Sequence, residues 1–156
     1  MSARPDTSAQ GFFTYAEAYA AAARLLAEAM EDIPHGEAPV RMLAFHAIEL
    51  YLKSFLRCLG HSTDELAIKP LAHDLGALSS AVQGHLNLKA DDLLILADHR
   101  LSASAMQTRY LAPAAPDKLL VEPALVCTIA LRVRRAVLDH PARNGKIIFF
   151  GEGSVA

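Results

Sequence analysis

The stretch RMLAFHAIELYLK, Arg41 to Lys53, decides the fold. Leu43, Ala44, Ala47, Ile48, Tyr51 and Leu52 recur every three or four residues, the period of an α-helix rather than a strand. The pattern extends outward to Val40 on one side and to Phe55, Leu56 and Leu59 on the other. It runs from near Pro39, a favourable first-turn residue, to a stop at Gly60. A stripe this wide predicts the most buried helix of the chain. Four ionic positions interrupt it: Arg41, His46, Glu49 and Lys53. Glu49 precedes Lys53 by one turn, the favourable order for a helical ion pair. The pair is expected at a solvated edge of the helix, the alternative being a polar pair at an interface. His46 is expected as a partly buried histidine on a core helix.

The flanking sequence reads as further helices. A T-x-x-E capping box at Thr14 and Glu17 predicts the start of the first helix. Tyr15, Ala18, Tyr19, Ala22, Leu25, Leu26, Ala29 and Met30 then follow at helical spacing. The segment DIPHGEAP breaks it. After Gly60, Ser62 and Glu65 are placed to cap one short turn. Asp74 is placed to cap a third helix with Leu75, Leu78, Val82 and Leu86 on one face. Asp91 and Asp92 open a fourth, where carboxylates favour the positive end of the dipole. That helix is expected to weaken around residues 102–104. A loop with two prolines, RYLAPAAPDK, precedes a last helix from Glu122 or Pro123 to Asp139, striped by Leu125, Val126, Ile129, Ala130, Val133, Val137 and Leu138. The β-prone run KIIFF either caps the bundle or pairs, as one short strand, with another chain's copy. No segment shows sustained strand alternation, so the expected fold is an all-α, up-and-down bundle of about five helices. The expected organisation is a mobile tail over residues 1–12, one helical domain over 13–141 and a C-terminal tail over 142–156.

Composition narrows the function classes. The chain of 156 residues is 53% hydrophobic, enough for a single core. Its formal net charge of −2 provides no global field toward nucleic acid or membrane, so any basic surface is local. Cys58 and Cys127 lie in apolar helical patterns and read as reduced core thiols. No apolar run reaches a membrane span, and the start MSARPDTSAQG lacks the apolar core of a secretion signal. A cytoplasmic protein with no membrane partner is expected. The seven histidines are scattered, and nucleotide-loop, zinc-protease and hydrolase-elbow motifs are absent. Neither a metal site nor a cofactor is expected.

Three short motifs, in order, carry a family resemblance. Ala47, Glu49 and Lys53 form an Ala-x-Glu-x-x-x-Lys pattern, His73 to Leu75 form His-Asp-Leu, and Arg109 and Tyr110 follow. Together with the long last helix, they resemble the HEPN domains over most of residues 14–140. The resemblance implies an up-and-down helical bundle that dimerises. It implies either a non-catalytic partner of a small nucleotidyltransferase, or a metal-independent RNase of a toxin–antitoxin or defence system. Catalytic members carry Arg-x4–6-His near the start of the last helix, facing its copy in the second subunit. The arginine would hold the scissile phosphate and the histidine would move a proton.

In this chain the matching spacings are Arg41 with His46, and Arg135 or Arg134 with His140. Arg41 lies in the first turn of the second helix and Arg135 in the last turn of the last, neither being the family's position. Within a regular helix, residues five apart point about 140° apart, so such a pair converges only where the helix begins or ends between its members. The expected role is therefore a homodimeric binding or regulatory module, engaging another protein, such as a nucleotidyltransferase, or RNA. The RNase is the alternative, with Arg41, His46, Arg135 and His140 as catalytic candidates. The RNA-contacting candidates are Arg132, Arg134, Arg135, Arg143 and Lys146, opposed locally only by Asp139. Cations at a helix C-terminus complement the dipole, and arginines also grip phosphates bidentately. A further reading is a small-ligand pocket between helices, lined by Tyr15, Tyr19, Tyr51 and Tyr110.

Overall fold

The computed structural model describes residues 6–98 and 121–149. Within them are six α-helices: α1 (Ala9–Glu28), α2 (Glu37–Cys58), α3 (Thr63–Ala67), α4 (Leu75–Val82), α5 (Ala90–Ala97) and α6 (Pro123–Asp139). Short 3₁₀ turns follow α1, at Met30–Asp32, and α6, at Pro141–Arg143. The all-α expectation holds, and no strand forms among the described residues.

The long helix α2 is the axis of the bundle, packing against α1, α4 and α6. Its stripe is buried as expected: Val40, Ala44, Ala47, Ile48, Tyr51, Leu52, Phe55 and Leu56. Contacts between paired residues give the helix directions. Phe13 meets Tyr51 edge-on at 5.4 Å, and Tyr19 meets the His46 ring at 4.4 Å. Ascending numbers in α1 thus meet descending numbers in α2, so the two are antiparallel. Arg41 bonds Val121 just before α6, and Phe55 meets His140 just after it, so α6 runs parallel to α2. Gly60, at φ 101°, adopts the left-handed conformation that ends α2. The Lys146 ammonium donates to the Cys58 carbonyl (2.6 Å) at that helix end, where cations are favoured.

Three readings change. Helix α1 begins at Ala9, not Thr14, because the Ser8 hydroxyl accepts the Gly11 amide (3.0 Å). The segment expected as a tail therefore supplies Ala9 to the core. The inward face of α1 is also rotated: it carries Phe13, Ala16 and Ala23, whereas Tyr15 (47% exposed) and Leu25 (67%) face outward. The aromatic bulk of Phe13 against Tyr51 outweighs the alanine-rich stripe, since aromatic burial is worth more per residue. At the other end, Ile147 is buried and Phe149 packs on Phe13, so KIIF caps the bundle.

Helix α2 starts at Glu37, ahead of Pro39, and α4 ends at Val82, short of Leu86; other boundary signals agree. Ser62 and Glu65 form a reciprocal capping box, Asp74 accepts from the Ala77 amide (3.0 Å), and α6 spans Pro123–Asp139. The expected weakening at 102–104 lies outside the described residues.

Candidate functional site

Three of the four ionic positions between Arg41 and Lys53 are not at the margin of α2, and His46 is half-buried. Arg41, Glu49 and Lys53 are each no more than 8% exposed. The expected solvated edge is thus an interior cluster, because α4 and the segment before it close over that face. Lys53 donates to Glu49 (2.8 Å) and to the Ala72 carbonyl. The His73 Nδ1 lies 3.1 Å from the same Glu49 oxygen. His46 Nδ1 stands 3.8 Å from the other, an ion-pair distance too long for a hydrogen bond. Burial alone would raise the Glu49 carboxyl; His46, Lys53 and His73 together outweigh it and hold the carboxyl at about 2. The cluster joins α2 to the chain entering α4; Lys53 is spent on acceptors within it, whereas the buried His46 Nδ1 has no hydrogen-bond partner among the described residues. Arg41 is spent similarly, on the Val121 carbonyl (2.7 Å) and Glu37 (2.8 Å). Arg41 and His46 share no contact: His46 lies against Tyr19 and Glu49.

The five basic residues of the C-terminal region are divided. Arg134 turns toward α1 and grips Glu17 with two nitrogens (2.6 and 3.1 Å), its guanidinium lying 4.6 Å from the Phe149 ring centre. The Tyr51 hydroxyl also donates to Glu17, and burial together with that carboxylate pushes the hydroxyl's pKa up. Arg143 donates to the Leu138 and Ile147 carbonyls, and Lys146 to Cys58. Arg132 and Arg135 face elsewhere, onto a cleft of about 470 Å³. Opposition is not confined to Asp139: Glu17 and Asp92 hold two of the arginines from 117 and 40 residues away.

That cleft lies between the C-terminal turns of α6 and the connection from α4 to α5. From α6 come Arg132, Arg135, Asp139 and, just past the helix end, His140; the connection supplies His85 and Lys89. Gly84, at φ 87°, provides the left-handed turn that brings His85 round. Arg132 is held by buried Asp92 (2.8 Å), and Arg135 by Asp139 (2.9 Å). The lining thus holds three permanent cations and two imidazoles against one carboxylate, with Asp92 behind Arg132. Helix α6 ends at Asp139 and His140 is extended (ψ 132°), so Arg135 and His140 reach one cleft although a regular helix would separate them. The His140 Nδ1 accepts the Ala142 amide (3.0 Å), leaving Nε2 as the nitrogen available to a ligand.

The sequence reading missed His85 and Lys89. Neither belongs to a local pattern with α6; only the chain's return past α4 brings them there. Of the tyrosines, Tyr51 is fully buried, Tyr19 packs on His46 and Tyr15 is exposed, so these three do not share one pocket wall. Arg109 and Tyr110 lie outside the described residues. Among those residues no group of histidine, cysteine or carboxylate side chains is arranged to hold a metal, and no helix is long and apolar enough to cross a membrane. Both cysteines are free thiols, whose pKa burial raises. Comparison with protein-family models, curated proteins and solved structures found no match.

Proposed function

We propose that this protein is a HEPN-like binding and regulatory module, active as a homodimer, whose basic cleft at the end of α6 contacts RNA phosphates. The single observation that carries the reading is the convergence of Lys89, Arg132, Arg135, His85 and His140 on one open cleft, in a chain whose net charge is −2. Concentrating cations on one face of a slightly acidic chain favours contact with a polyanion there. The family resemblance supports dimerisation, and a nucleotidyltransferase is the alternative occupant of the same face. Fluorescence anisotropy with labelled single-stranded RNA tests the reading. Binding should weaken about tenfold in Lys89→Ala/Arg135→Ala and fall steeply with salt. Equal binding by wild type and variant would sink it. Light scattering tests the dimer, and a monomer at high concentration contradicts it.

One observation favours an RNase as the second reading. Arg135 and His140 share the cleft, with Arg135 suited to a phosphate and the His140 Nε2 suited to proton transfer. Purified protein should then cleave RNA with EDTA present, and His140→Ala should stop it. Intact RNA after long incubation excludes this activity.

A further inference from the structure

The other face of α6 carries a second site. We propose that the groove between α1 and α6 binds a small carboxylate with a short apolar chain, its head on Arg24 and its chain over Leu131 and Phe149. The groove has a volume of about 170 Å³, with Glu17, Ala21, Arg24, Leu131, Arg134 and Phe149 in its lining. The volume corresponds to about five or six water molecules. It exists because α1 presents alanines where α6 presents Leu131, which stays 46% exposed.

Arg24 provides the recognition. The other six arginines among the described residues each donate to a carboxylate or a backbone carbonyl. Arg24 is exposed and makes no hydrogen bond or ion pair among the described residues. An unused guanidinium fork is matched by a two-oxygen anion. Cys127 lies close enough for the Arg24 charge to pull its thiol pKa down against the rise caused by burial.

The remaining charges select the ligand. Arg134 is matched by Glu17 (2.6 Å), so among the described residues of the lining Arg24 is the one cation without a carboxylate. A monoanion neutralises it, whereas a phosphate dianion would overcompensate it and meet the Glu17 carboxylate. The apolar walls then favour a carboxylate bearing a short chain over a bare ion.

Sodium hexanoate is the probe, read by isothermal titration and by the melting temperature of the full chain. Hexanoate should bind saturably and raise the melting temperature, while hexanol and hexylammonium should not. Arg24→Gln removes no contact the fold uses; it should weaken binding at least tenfold and leave the melting temperature without ligand unchanged. Ala21→Leu, which fills the groove and keeps the charge, should also abolish binding. Equal hexanoate binding in Arg24→Gln, no saturable binding by wild type, or phosphate binding as tightly as hexanoate would each overturn the proposal. RNA affinity serves as the separate control. It reads the cleft on the other face and should not change in Arg24→Gln.

Discussion

Two polar regions of this bundle make a useful contrast. Around Glu49, a carboxylate and an ammonium are drawn inward and bonded to each other and to the Ala72 carbonyl, with the exposed His73 imidazole bonded to the carboxylate from outside. Around Arg135 and His140, comparable groups line an open cleft. Residue types alone do not distinguish the two. Closure does: in the first cluster the Lys53 ammonium is held by Glu49 and the Ala72 carbonyl and serves as a clasp, whereas the second leaves Lys89 and an imidazole nitrogen for a ligand. A buried ion pair tolerates loss of one member poorly, while an exposed cation is lost at little structural cost.

The largest effect should come from breaking the clasp. Lys53→Met leaves Glu49 buried without its main cation and should lower stability by about 3–5 kcal/mol, measured by urea denaturation. A loss under about 1 kcal/mol would mean that water reaches the cluster and the contrast is false.

Acid should sharpen the same distinction. The folded Glu49 carboxyl, at about 2, lies below its ordinary 4.5. Its ionised form is therefore favoured by folding. The stabilisation is complete above pH 4.5 and is lost as pH falls from there toward 2, amounting to about 3 kcal/mol. Glu49→Gln should flatten the stability curve in that window, as read from denaturation midpoints between pH 2 and 6. A profile identical to wild type there would remove Glu49 from the account.

The cleft variants should show the reverse pattern. Arg135→Ala should shift stability by no more than about 0.5 kcal/mol, because its pairing with Asp139 is exposed. An effect intermediate between the clasp and cleft variants is local to a cap. Asp74→Ala removes the acceptor of the Ala77 amide and should cost about 1 kcal/mol without touching the cleft.

Much of the fold was legible because its signals are local. The capping chemistry of Ser62 and Asp74, the Gly60 stop and the stripe from Val40 to Leu56 each act within a few residues, and each stands as read. The register of α1 was not legible. Its cap lies earlier, at Ser8, and alanines mark both sides of the helix, so only packing of Phe13 on Tyr51 fixes which face turns inward. The burial of Glu49 and Lys53 was hidden for a related reason. A pair one turn apart looks the same in water as beneath another element, and the covering residue, His73, lies 24 positions away.

The candidate site was half legible. Arg132, Arg135 and His140 could be named from α6 alone, but the matching of Arg134 by Glu17 depends on α1 lying alongside. The arrival of Lys89 and His85 depends on how α4 turns into α5. Charges adjacent in sequence were thereby sorted onto different faces of one helix, which a linear count of arginines does not reveal.

The most direct test of the central claim measures RNA affinity and unfolding free energy side by side for Lys89→Ala/Arg135→Ala and for Lys53→Met. About tenfold weaker RNA binding with near-normal stability is expected for the double variant, and a large stability loss for Lys53→Met. An undiminished RNA affinity in the stable cleft variant would contradict the claim.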